Sequence, residues 1–253
     1  MSQSIKTENV NNHFFNGYYK DIWKQIFPEK TTLAEVDFII EESGLSKGSY
    51  VLDIMSGYGR HALELSKRGF SVTAVDNLTE YIEEINKAST KQNLIIETYC
   101  TDILEWQTDK QFDAIICMGN SLQFFDAKQI HDLLINLADH LKPGGKFIIN
   151  TWTIAEIALK QFKERGWSRF NKMLLLYESK FLFQPARIET TSITITDTGE
   201  REEKLGIDYI FSIAEMETML NKAGFVINNI YSIPGKKKFT LGEPRAYFVA
   251  EKK

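Results

Sequence analysis

Apolar residues along the chain follow two rhythms, one helical and one extended, and the switches between them mark out the elements. In 13–27, HFFNGYYKDIWKQIF, Phe15, Tyr19, Ile22 and Ile26 recur at helical spacing until Pro28 stops the pattern. A second helix is predicted from a capping box, Thr32-x-x-Glu35, through Leu33, Val36, Phe38, Ile39 and Ile40 to Gly44. Short apolar runs then alternate with helical ones. Strands are predicted at 50–54, 71–76, 94–100, 112–119 and 146–152, with helices at 60–68, 78–88 and 127–141. The last of these helices opens on a capping box, Asp126-x-x-Gln129, and KPGG ends it.

Strands separated by helices predict a parallel sheet, because each right-handed crossover must bury a helix face against it. The expected class is therefore α/β with a doubly wound core. Beyond 152 a helical piece at 154–166 leads to alternating stretches at 174–183, 187–197 and 203–211, with DTGE as a turn, which predicts an antiparallel insertion. The first rhythm returns with Ser212-x-x-Glu215 capping a helix, followed by two closing strands at 226–233 and 245–252. No repeat and no Pro-, Gly- or Ser-rich linker interrupts the chain. The expectation is one domain: an N-terminal helical lid (1–45), a core (46–152), the insertion (153–211) and a closing helix with two strands (212–253).

Composition adds exclusions. With 253 residues, 43% of them hydrophobic, the chain can bury a large core, and a formal net charge of -4 gives no general field for nucleic acid. Cys100 and Cys117 lie in apolar stretches without metal-type spacing, so neither a disulfide framework nor a metal site is expected. MSQSIKTENVNN lacks an apolar leader core, and no run of about eighteen apolar residues is long enough to span a bilayer. The expectation is a cytoplasmic protein without a membrane or nucleic-acid partner; oligomeric state is left open.

The chemistry concentrates where strands end. VLDIMSGYGR runs from strand 50–54 into Gly57 and Gly59, at the carboxyl edge where an open α/β sheet forms its ligand crevice. Glycine there permits positive φ and a close approach to a ligand, although it also serves a simple turn, and GYGRHA fits a dinucleotide pattern too. Asp76, ending the second strand, is placed to accept hydrogen bonds from a ribose diol, with Asn77 beside it; capping the next helix is the competing role. Asp53 repels a pyrophosphate but suits an ammonium group, while Arg60 at a helix start calls for an anion or pairs with Glu64 one turn on. An adenosine joined to an amino acid satisfies all of these groups, and that ligand is S-adenosylmethionine.

Over residues 50–152 the chain resembles the class I S-adenosylmethionine-dependent methyltransferases. The likeness rests on VLDIMSGYGR, VTAVD, CTDILEW, FDAIICMGNSLQFF and LKPGGKFII, in that order. It implies a Rossmann-like seven-stranded sheet with its last strand antiparallel. It also implies Asp53, Gly57 and Gly59 in the loop, Asp76 on the ribose, Asp102 and Ile103 beside the adenine, and Met118 or Gly119 near the methionyl portion. The chain departs from the family at Met55, where a further glycine is common.

Methyl transfer needs a positioned nucleophile more than a dedicated base, so no catalytic residue is assigned. His61, His131 and His140 lie in helical patterns and read as structural or exposed. Tyr18 and Tyr19 are lid candidates able to face a sulfonium, with Trp23 alongside, although core packing of an amphipathic helix is the commoner explanation for such a stripe and the one favoured for Phe15 and Ile22. Asn120, Ser121 and Gln123 could orient an amine or hydroxyl. Trp152, Tyr177, Arg187 and Tyr209 are the other acceptor-side candidates, Arg187 either binding a carboxylate or pairing with a surface Glu. The run GKKKF reads as a solvated loop. Three readings stand: a methyltransferase acting on an oxygen or nitrogen of a small molecule, a nicotinamide-dependent oxidoreductase, and a non-catalytic binder of S-adenosylmethionine.

Overall fold

The computed structural model describes residues 9–253; residues 1–8, which include the start of the expected lid and most of MSQSIKTENVNN, lie outside the described residues. The chain divides into two compact units, Met1–Ile26 with Lys163–Asp208, and Phe27–Phe162 with Tyr209–Lys253.

In the larger unit α2 (Glu29–Ser43), β1 (Tyr50–Ile54), α3 (Arg60–Lys67), β2 (Ser71–Asp76), α4 (Thr79–Gln92), β3 (Ile96–Cys100), β4 (Phe112–Cys117), α5 (Ala127–His140) and β5 (Leu141–Thr151) follow in chain order. After α6 (Ala155–Gln161), and beyond the insertion, come α7 (Ile213–Lys222), β10 (Phe225–Ile233), β11 (Lys237–Lys238) and β12 (Ala246–Lys252). The sheet order is β11-β10-β12-β5-β4-β1-β2-β3. β1 pairs in parallel with β2 and β4, while β12 runs antiparallel to both β5 and β10. The seven expected strands are present, and Lys237 and Lys238 of the GKKKF run add a short antiparallel edge strand rather than a free loop. Chain direction across the sheet reverses between β1 and β4, so the loops following those two strands flank the switch point.

The two-residue strand period sorts the core. Leu52, Ile115, Phe147 and Phe248 join one apolar cluster with Leu134 and Leu137 of α5, whereas Val51, Ile116, Ile148 and Val249 join another with Ile39, Leu65 and Ile85 of α2, α3 and α4. The boxes Asp126/Gln129 and Ser212/Glu215 both form as expected. The box at Thr32/Glu35 does not. Pro28, extended at φ -66°, caps α2 four residues earlier, so Thr32 and Glu35 lie inside the helix, and α2 packs in this unit's core rather than forming part of a lid. KPGG does not separate helix from strand: β5 already begins at Leu141, with a register shift and Gly144 at φ 77° absorbing the stretch.

The smaller unit holds α1 (Gly17–Ile26) and an antiparallel sheet β6-β7-β8-β9, formed by Arg165–Phe170, Met173–Phe183, Ala186–Thr196 and Arg201–Tyr209. The helical piece expected over 154–166 stops at Gln161. Residues 165 and 166 are already strand, and Gly166 faces Tyr177 so closely that a Cβ there would lie 2.3 Å from the phenol oxygen. Asn11 ties the N-terminal segment to β9 by hydrogen bonds to and from Ile207.

Candidate functional site

The crevice is built at the carboxyl ends of β1, β2 and β4. After β1 the backbone passes through Met55 at φ 51°, Gly57 at φ 56° and Gly59 at φ 77° before α3 begins. Met55, at the position where the resembled family commonly has a further glycine, thus takes the left-handed conformation itself. The two glycines differ in purpose. A Cβ on Gly57 would meet nothing nearer than Tyr81 Cε2 at 3.9 Å, which leaves room above the backbone, whereas a Cβ on Gly59 would sit 2.5 Å from Ile85. Gly59 is therefore required by packing against α4, and Gly57 alone presents open peptide.

Asp76 closes the loop from below. Its Oδ2 accepts from Gly57 N at 2.8 Å and its Oδ1 from Leu78 N at 2.9 Å, so it ties β1 and β2 together while also serving the turn before α4. A carboxylate has about four acceptor positions, and two remain. Burial pushes Asp76 up to about 6 despite those amide bonds. Asp53 is deeper still, 1% exposed; burial raises it to about 7, with Asp76 adding to the shift and Arg60 opposing it. Its Oδ2 has no hydrogen-bond partner.

Arg60 begins α3. Its Nη1 donates to Glu35 Oε2 at 2.5 Å and to Thr32 Oγ1 at 3.2 Å, its guanidinium lies 4.4 Å from the Phe27 ring centre, and its Nη2 is buried without a partner. The surface pair with Glu64 is not made; Glu64 serves Arg68. Glu35, fully buried, also bonds His61 Nε2 at 3.0 Å and accepts from the Tyr247 hydroxyl at 2.8 Å. Burial alone would raise Glu35, but His61 and Arg60 overturn that and hold it near 2. Burial, reinforced by Arg60, takes His61 down to about 4, so it is a neutral structural imidazole. The sequence marks Glu35 only as a capping partner of Thr32, and nothing local marks Glu35, Phe27 or Tyr247 as neighbours of Arg60: they arrive from α2, the segment before it, and β12.

Beyond β3, Thr101 N donates to Asp76 O at 2.9 Å, which brings Asp102 and the buried Ile103 to the same edge; Asp102 Oδ1 accepts from Leu104 N. Asn77 O lies 3.8 Å from Cys100 Sγ. After β4, Met118 is buried and Gly119, at φ 85°, donates to Asn150 Oδ1. Asn120 Oδ1 accepts from Thr151, Trp152 and Thr153, at 2.8 to 3.1 Å, and so fixes this loop to the end of β5. That oxygen is committed to the protein. Gln123 is fully buried, and neither side-chain amide atom has a partner.

Tyr18, Tyr19, Trp23, Tyr177 and Arg187 belong to the smaller unit. Tyr18 donates to Glu200 at 2.6 Å, Tyr19 and Trp23 pack around Phe15, and Tyr177 covers Gly166. Arg187 takes the bland alternative, pairing with Glu189 at 2.8 Å. Tyr209 packs on the core of the larger unit, and Trp152 stands 6.3 Å from Phe27, ring centre to ring centre. Among the described residues no cluster of metal-binding side chains occurs, and no helix is long and apolar enough to cross a membrane.

Residues 51–145 match the family described as a methyltransferase domain. A ubiquinone biosynthesis O-methyltransferase of Rickettsia typhi is 33% identical over 120 residues, 46% of this chain and 48% of that one. The chain thus spans about half the length of the curated relatives it matches. An S-adenosylmethionine-dependent methyltransferase from Clostridium acetobutylicum has the same fold, with a TM-score of 0.80 at 20% identity over 92% of this chain and 96% of that one. An amino pentose methyltransferase of calicheamicin biosynthesis from Micromonospora echinaspora, solved with S-adenosylmethionine, gives 0.69 at 16% identity over 94% and 98%.

Proposed function

We propose that this chain, whose residues 51–145 match the methyltransferase-domain family, is an S-adenosylmethionine-dependent methyltransferase that methylates an oxygen or nitrogen of a small-molecule acceptor. One observation carries the cofactor reading: Asp53 Oδ2 and Arg60 Nη2, of opposite charge, are both buried and unpartnered where β1 gives way to α3. A buried polar atom without a partner is costly, and a zwitterionic amino-acid group satisfies both. Asp53 would take its ammonium and Arg60 its carboxylate, while Gly57 lets the ligand lie against bare backbone. The two spare acceptor positions of Asp76 suit a ribose diol, with Asn77 next to it. Asp102 and Ile103 would border the adenine, and Met118 and Gly119 the methionyl chain.

Bound S-adenosylmethionine supplies an electrophilic methyl group on a sulfonium. The chain's own contribution is to hold the acceptor's nucleophile in line and to keep water away, which is where most of the acceleration of such a displacement arises. Asn120 holds the loop after β4 rigid against β5, and Gln123 offers that loop's remaining hydrogen-bonding capacity. Tyr18, Tyr19 and Trp23 remain lid candidates, and Trp152, Tyr177 and Tyr209 acceptor-side candidates. Free cysteines at 100 and 117 suit a reducing, cytoplasmic setting.

Calorimetry tests the cofactor. Saturable binding of S-adenosylhomocysteine with no binding of NAD is the expected result; NAD binding alone would overturn the reading. Asp76→Ala should abolish binding while the protein still melts cooperatively. Methyl transfer from labelled cofactor into a small-metabolite extract tests the reaction itself.

A further inference from the structure

Arg245 immediately precedes β12, and its neighbour Ala246 pairs with Thr151 at the carboxyl end of β5. The Arg245 guanidinium lies 5.1 Å from the Phe27 ring centre and 5.3 Å from that of Trp152, and its charge acts on the Tyr247 hydroxyl. Among the described residues Arg60, Arg68, Arg165, Arg187 and Arg201 each hold a carboxylate. Arg245 holds none. Arg169 shares that condition but is exposed on strand β6, where water solvates it, whereas Arg245 is partly withdrawn onto two aromatic rings.

Charge counting sharpens the contrast. Glu35 is the one carboxylate in the chain of contacts from Arg60 through Glu35 and Tyr247 to Arg245, so two cations share one anion. On the cofactor reading above, Asp53 and Arg60 are satisfied by the amino-acid group, and a sulfonium adds another positive charge. Arg245 is left without a counter-ion. Cation–π contact with Phe27 and Trp152 holds its guanidinium without neutralising it, and the N–H groups of a guanidinium suit a carboxylate or phosphate. Gln123, buried with both side-chain amide atoms unpartnered, lies in the loop that Asn120 ties to Trp152. Its backbone N donates to Asn120 O, while Asn120 Oδ1 holds Trp152 N, so the unsatisfied amide and the aromatic platform hang on the same residue.

The geometry points to an anion site for the acceptor: Arg245, on the Phe27–Trp152 platform, receives a carboxylate or phosphate group, so the methyl acceptor is an acid. This rests on the methyltransferase reading of the site. The protein, saturated with S-adenosylhomocysteine, is titrated with benzoate, with inorganic phosphate, and with benzamide as the uncharged isostere of benzoate. One of the two anions is expected to bind saturably, at least tenfold more tightly than benzamide; benzoate or phosphate as the binder identifies the kind of acid. Arg245→Gln should erase that preference and Arg245→Lys restore part of it, while S-adenosylhomocysteine affinity stays within twofold in both. Arg60→Gln should do the reverse, weakening S-adenosylhomocysteine and sparing the anion preference. Equal binding of anions and benzamide by the wild type, or an undiminished preference in Arg245→Gln, overturns the anion site. Failure of the wild type to bind S-adenosylhomocysteine overturns the cofactor reading instead, and titrating the ligand-free protein then reads Arg245 separately.

Discussion

Asp53→Asn should make the ligand-free protein more stable and the cofactor complex weaker. In the folded chain the Asp53 carboxyl sits near 7 rather than its ordinary 3.8, chiefly through burial. Each factor of ten in proton affinity is worth about 1.4 kcal/mol, so keeping this group charged at pH 8 costs the folded state up to about 4 kcal/mol. Between roughly pH 4 and 7 the folded chain binds a proton that the unfolded chain does not, and stability therefore falls as pH rises through that window. A neutral amide of the same shape removes the penalty. The expected gain is roughly 2 to 4 kcal/mol at pH 8, or about 5 to 15 °C in Tm, shrinking to less than half by pH 5. Removing the ammonium's partner should also weaken S-adenosylhomocysteine tenfold or more, the worth of a charged hydrogen bond. Scanning calorimetry at pH 8 and pH 5, with and without S-adenosylhomocysteine, reads both effects. A lower Tm for the ligand-free variant at pH 8 would refute the reasoning, since Asp53 would then be a satisfied charge and not one waiting for a ligand.

Other outcomes follow from the same site. Gly59→Ala should cost about 2 to 4 kcal/mol in denaturant unfolding, because its Cβ meets buried Ile85 at 2.5 Å and φ is positive, whereas Gly57→Ala should cost only about 1 kcal/mol; equal losses would contradict the division of roles. Glu35→Gln strands the Arg60 charge and should destabilise by about 3 kcal/mol or more, and an unchanged unfolding midpoint would count against the network. Affinity for S-adenosylhomocysteine should rise at least tenfold from pH 5 to pH 8, because Asp76, near 6, and Asp53, near 7, must lose protons to meet hydroxyls and an ammonium. A flat profile by calorimetry would remove one or both carboxylates from the site.

What the chain discloses by itself is what is local and periodic. Alternation along 50–152 predicts five strands in their observed order of appearance, and two of the three capping boxes form, because hydrophobic period and capping are nearest-neighbour physics. The third fails for an equally local reason that outranks it, the fixed backbone of Pro28. Asp53, Gly57 and Asp76 are legible because each ends a strand or follows one directly. Arg60 is legible only in part: its need for an anion is visible, but Glu35 reaches it across 25 residues of sequence from another helix. Arg245 is still further removed, facing Trp152 and Phe27, 93 and 218 positions earlier, and Gly59 looks like a ligand-side glycine until Ile85 of α4 is placed against it. Sequence shows which groups are available; only the tertiary fold shows which are already spoken for.

β12 follows every other strand of its sheet in chain order, yet it lies inside the sheet, between β5 and β10. Until residues 246–252 emerge, two hydrogen-bonding edges stand open and the pocket lacks the phenol that steadies Glu35. A chain interrupted before residue 246 therefore keeps two unpaired strand edges side by side, which makes it prone to pair with another copy.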